Sequence, residues 1–151
     1  MRRKDREMPE AFAWEIADKC EWAVLGLVDL AGNPYCVPVS IAHEDKFIYF
    51  HSAQNGLKIE CLNNKNRVCI SCVGATFRPP NAFTTEFESA ILRGDASEVL
   101  EKEEKIHALR LLCKRHTPTN MDNFDKAISQ NLLRTGIWRI EVQEISGKQK
   151  K

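Results

Sequence analysis

The spacing of apolar residues changes several times along this chain, and each change marks an element. Phe12, Ile16 and Cys20 recur every four residues behind Pro9, which predicts a helix from Glu10 to Cys20. Trp22 to Asp29 follows, apolar on both faces and rich in strand formers. Ala31-Gly32-Asn33 makes a turn, and a second strand is predicted from Tyr35 to His43. Glu44-Asp45 turns the chain again into a strand from Lys46 to His51. A short amphipathic helix is predicted from Leu57 to Leu62, then a polar turn at Asn63 to Asn66 and a strand from Arg67 to Val73.

Arg78-Pro79-Pro80-Asn81 cannot continue a sheet, because proline fixes φ and lacks a donor. Thr84 to Val99 reads as a long strand, bent or bulged at Gly94. From Glu101 to Arg115 the period turns helical, with Ile106, Leu109 and Cys113 on one face. Thr117-Pro118-Thr119 stops and restarts the helix, and Met121, Phe124, Ile128 and Leu132 give a second stripe. The closing strand, Gly136 to Val142, alternates, with Trp138, Ile140 and Val142 on one face and Ile137, Arg139 and Glu141 on the other. Six strands with helices inserted late, and no βαβ rhythm, predict a mainly β fold: an antiparallel barrel with peripheral helices. At 151 residues the chain makes one domain over residues 1–151, with 1–8 and 147–151 expected as flexible tails.

Composition narrows the function. Lys plus Arg (22) nearly balance Asp plus Glu (21), so no global field attracts nucleic acid. No apolar run is long enough to span a bilayer, and the charged start lacks the apolar segment of a signal peptide, so a cytoplasmic location is expected. The six cysteines are then expected as thiols. Cys69 and Cys72 form a Cys-x-x-Cys, but on a strand residues three apart point to opposite faces and cannot share a metal. The four histidines show no zinc spacing, so no metal site is expected.

One junction carries chemistry. The apolar strand ends in His51-Ser52-Ala53-Gln54-Asn55-Gly56, and Lys58 lies in the first turn of the next helix. A helix start leaves backbone N–H groups unpaired at the positive end of its dipole. Ser52 adds a hydroxyl, Gly56 lets backbone approach and Lys58 adds a point charge, which together make a cradle for a phosphate. The plainer reading is an ordinary strand–turn–helix with Ser52 as cap and Lys58 solvated.

Longer segments bear a likeness. Gly32-Asn33-Pro34-Tyr35-Cys36-Val37-Pro38-Val39-Ser40, Ile48 to Ala53, Gly56-Leu57-Lys58, Phe87 to Gly94 and Trp138-Arg139-Ile140 occur in an order that covers most of the chain. It resembles the flavin-binding split β-barrel proteins related to pyridoxamine 5′-phosphate oxidase, in particular their nitroimidazole-resistance branch. The resemblance implies a six-stranded split barrel with FMN at a homodimer interface. It implies that the backbone of Pro38, Val39 and Ser40 runs along the isoalloxazine ring, and that His51, Ser52 and Ala53 meet the ribityl chain and phosphate. Gly56 and Lys58 would complete the phosphate site. Ser89 stands where the oxidases carry a flavin-contacting glutamine, and Trp138 is expected at the subunit interface, covering the flavin of the other subunit.

Two departures matter. The oxidases' paired basic residues are not matched within Val37 to Ile41, and their C-terminal arginine pattern does not follow Arg139. Oxidation of pyridoxamine phosphate is therefore not expected. The resemblance implies instead an FMN-dependent oxidoreductase of the nitroreductase kind, taking electrons from a reduced nicotinamide or other donor and passing them to a small planar acceptor. No side chain is assigned as catalytic. FAD also fits, since an adenylate tail outside the pocket leaves no motif. One rival is a flavin or haem carrier or redox sensor without turnover, with His51 as the first axial candidate. Another is a small barrel without cofactor.

Overall fold

A computed structural model describes residues 2–151. Met1, the first residue of the expected N-terminal tail, lies outside the described residues. Eight strands form one antiparallel sheet: β1 (Glu7–Met8), β2 (Ala23–Val28), β3 (Pro34–Val39), β4 (Ile41–Glu44), β5 (Phe47–Ser52), β6 (Arg67–Phe77), β7 (Glu86–Glu98) and β8 (Gly136–Lys150). The helices are α1 (Glu10–Lys19), α2 (Leu57–Asn64), α3 (Lys102–His116) and α4 (Phe124–Asn131). The strands are ordered β3-β2-β6-β7-β8-β5-β4, with β1 beside β8.

The two edges of that path, β3 and β4, are consecutive in the chain and separated only by Ser40. The expected single strand from Tyr35 to His43 is thus broken: its first half pairs with β2 and its second with β5. The sheet is not closed at this seam: no ladder joins β3 to β4, and only the covalent chain links the two edges. Period-2 alternation could not reveal the break, because both halves are extended and apolar. This split, with the two-residue β1, raises the expected six strands to eight.

Each inward row follows the pleat. Leu25, Ile41, Ile48, Phe50, Ile70, Leu92, Trp138 and Ile140 meet inside, and Ala13, Ile16 and Ala17 of α1 pack against them. A second, smaller core lies on the outer face of β4, β5 and β8, where Ala42, Tyr49 and Ile137 meet Ala108 and Leu112 of α3. The expected two faces of the last strand therefore serve two cores. Polar ties hold α3 in place: Arg139 Nη1 donates to Glu104 Oε1 at 2.8 Å, and Tyr49 OH donates to the same oxygen at 3.2 Å. At its far end Arg115 Nη2 donates to the carbonyls of Ala17 and Cys20, each at 2.8 Å.

Both ends are tied down where tails were expected. Glu7 and Met8 pair with Lys148 and Gly147, and β8 runs on to Lys150 along β7. The charges after Val142 hide this extension, which rests on backbone pairing and on Ile145 packed against the core. Among the described residues, no helix is long and apolar enough to cross a membrane.

Candidate functional site

The third long strand and the helix after it meet as the sequence predicts. Phe47–Ser52 ends, four residues follow, and α2 begins at Leu57. Gly56 caps the helix with φ +113° and ψ 169°, a conformation closed to residues with a side chain. The Gly56 carbonyl accepts from the N–H groups of Ile59 and Glu60 at 2.9 and 3.1 Å. Those of Leu57 and Lys58 come earlier in the first turn, where a helix supplies no acceptor. Gln54 Nε2 donates to the carbonyl of Leu133 at 2.6 Å and pins the loop to the turn ahead of β8.

Two polar groups here lack what burial demands. Ser52 is buried, and its Oγ has no hydrogen-bond partner among the described residues. Lys58 is half-buried with its ammonium 5.6 Å from the centroid of the Phe50 ring, and no carboxylate pairs with it among the described residues. Burial lowers its pKa. A cation held out of water without a counter-ion, beside the positive end of a helix, fits an anion such as a phosphate.

Alternation separates the next neighbours. Phe50 points into the barrel and Tyr49 toward α3, so His51 shares the α3 side while Ser52 takes the other. His51 lines a cavity of about 310 Å³ with Ser40, Leu109, Leu112, Cys113 and His116. Its pKa is lowered, first by the desolvation it meets against α3 and then by the charges of Lys58 and His116, although its outer edge stays open to solvent. His116 Nε2 donates to the Ile41 carbonyl at 2.8 Å, just past the seam. The sequence gives His116 a plainer part, charge compensation at a helix end. The α3 residues of this cavity carry no local signal of a site, since they reach it only through packing.

Pro38, Val39 and Ser40 line a second groove of about 460 Å³ together with Trp22. Pro38 is exposed on the outer face, whereas Val39 is buried in the barrel, so Val39 offers a ligand only its backbone. Ser40 belongs to both hollows, and the seam therefore joins them. Ala53 is exposed in the loop between β5 and α2.

Two expected site residues stand elsewhere. Trp138 is 4% exposed within the main core of its own chain, opposite Phe50 and Glu98, which leaves almost none of its ring for a second subunit. Ser89 pairs with Val73 and Lys148, nine residues along β7 from the Glu98 that pairs with Trp138. At strand rise it lies far from Ser52 and Lys58 within one chain. Among the described residues no cluster of three metal-ligating side chains occurs.

Residues 9–149 match a family model described as pyridoxamine 5′-phosphate oxidase. Among solved structures, a candidate 5-nitroimidazole antibiotic resistance protein from Bacteroides thetaiotaomicron is 26% identical; the match covers 94% of this chain and 85% of that one at a TM-score of 0.78. A FAD-binding protein from Mesorhizobium loti is 19% identical, with 97% and 98% covered and a TM-score of 0.72. The flavocytochrome Anf3 from Azotobacter vinelandii is 18% identical, with 100% and 72% covered and a TM-score of 0.84. The last two likenesses speak to the fold. No curated protein matches the chain.

Proposed function

Because the chain belongs to the pyridoxamine 5′-phosphate oxidase family, we propose that it is a flavin-binding oxidoreductase using FMN in a homodimer. The observation that carries this reading is the half-buried Lys58 ammonium without a counter-ion, set beside Gly56 and the partnerless Ser52 hydroxyl. That donor set fits a phosphate monoester better than a neutral ligand. Ser52, Gly56 and Lys58 would hold the phosphate, and the backbone of Pro38 to Ser40 would run beside the ring. When bound, the flavin supplies the electron chemistry, taking electrons from a reduced nicotinamide and giving them to a small planar acceptor such as a nitroaromatic ring.

The chain's own residues position and select. His51 presents its ring nitrogens where the loop before α2 meets the α3 cavity, and its lowered pKa favours the uncharged form there. Leu109 and Leu112 give that cavity an apolar wall able to exclude water from an acceptor. Its lining contains no Asp or Glu, so the partially negative oxygens of a nitro group meet no carboxylate there. Without the oxidases' C-terminal arginine pattern after Arg139, the chain lacks their means of holding a substrate phosphate.

Replacing the ammonium tests the reading. Lys58→Ala should weaken FMN by about 1.5–3 kcal/mol, the scale of one charge-assisted contact, and riboflavin hardly at all. Flavin fluorescence titrations measure both; equal losses for the two ligands would remove Lys58 from the phosphate site.

A further inference from the structure

We propose that Trp22 is an aromatic platform on which the planar ring of the bound flavin lies. This rests on the flavin reading above and adds to it a residue that neither the motifs nor the family resemblance supplies. Trp22 stands at the turn between α1 and β2, with 57% of its surface exposed. The other two tryptophans are occupied: Trp14 stacks on His43 at 4.2 Å between ring centroids, and Trp138 is in the core. Of the three tryptophans Trp22 alone is left open, and it is the one that lines a groove.

The groove gives that surface its direction. Trp22 lines it with Pro38, Val39 and Ser40 alone. Ala23 is paired with Val39 and Ile41 with Phe50, so continuing those registers by one residue sets Trp22 opposite Ser40 and Ser40 opposite His51. The three form one row across the seam, on the outer face of the sheet. At the far end of the row His51 directly precedes Ser52 in β5, so the row ends at the loop that carries Gly56 and leads to Lys58. A ligand with a flat apolar head and an anionic tail matches this order of groups, head on Trp22 and tail toward Lys58. An indole face is well suited to stacking on such a head.

The test separates head from tail with three probes: FMN, riboflavin and lumiflavin, which is the ring without its chain. Trp22→Ala should weaken all three by a similar factor, about tenfold for one lost aromatic stack. Trp22→Phe should recover most of that loss. Quenching of tryptophan fluorescence on adding lumiflavin should be strong in the wild type and largely lost in Trp22→Phe, while thermal melting confirms that both variants fold. Unchanged lumiflavin affinity in Trp22→Ala would overturn the proposal, as would a variant whose only change is in oligomeric mass, since Trp22 would then cover a second copy. A wild-type protein that binds none of the probes defeats the flavin reading itself. One that binds FMN normally in Trp22→Ala defeats only this inference.

Discussion

At the scale of single residues, the site turns on two neighbours that point apart. His51 and Ser52 follow one another in β5, yet His51 faces the α3 cavity and Ser52 the barrel end. His51 has a testable signature. Its pKa lies below the ordinary 6.5 because burial, Lys58 and His116 all oppose its charge. Between its native value and 6.5 the unfolded chain binds more protons, so this residue subtracts stability as pH falls through that window and costs nothing well above it. His51→Asn should therefore lose less melting temperature than wild type between about pH 7 and pH 5. Phosphate, by countering Lys58, should shrink the difference. Parallel pH profiles for the two proteins would show that His51 is not held neutral. Lys58 and Gly56 are legible in the sequence because a strand end feeding a helix start is a local pattern. His116, Leu112 and Cys113 are not, because α3 arrives at the site from some sixty residues further along. Trp138 misleads for a related reason: an aromatic in an alternating strand looks the same whether it faces a core or a partner.

Among the elements, the two irregular strands repay most attention. The expected bulge at Gly94 is present. Arg93 pairs with Glu144 and Gly94 with Val142, so Gln143 is the extra residue on β8. A Cβ on Gly94 would sit 2.1 Å from the Glu141 carbonyl oxygen, a backbone atom that cannot swing aside. Gly94→Ala should cost about 3 kcal/mol or more through overpacking, read as a lower urea midpoint. A loss under about 1 kcal/mol would mean that β7 and β8 part easily there. The alternating strands and the main helices were readable from apolar spacing, since each buries one face. The break at Ser40 and the run of β8 to Lys150 were not. Both depend on which strand lies alongside, and pairing partners leave no periodic mark.

For the molecule as a whole, the open edge is the outer face around β2, β3 and β6. Val24 and Val73 are exposed there, and a homodimer would cover that apolar surface. Light scattering should then give a mass near twice the 17.3 kDa of the chain, and a monomer at micromolar concentration would contradict the dimer. Deeper than assembly lies the nature of the seat before α2, on which the proposed chemistry depends. Phosphorus NMR of FMN bound to the protein addresses it directly. The account expects the phosphate resonance to move from its free position and to stop titrating near neutral pH, held as a dianion by Lys58 and the helix start. A resonance that titrates like free FMN, while the flavin absorbance reports a bound ring, would contradict it.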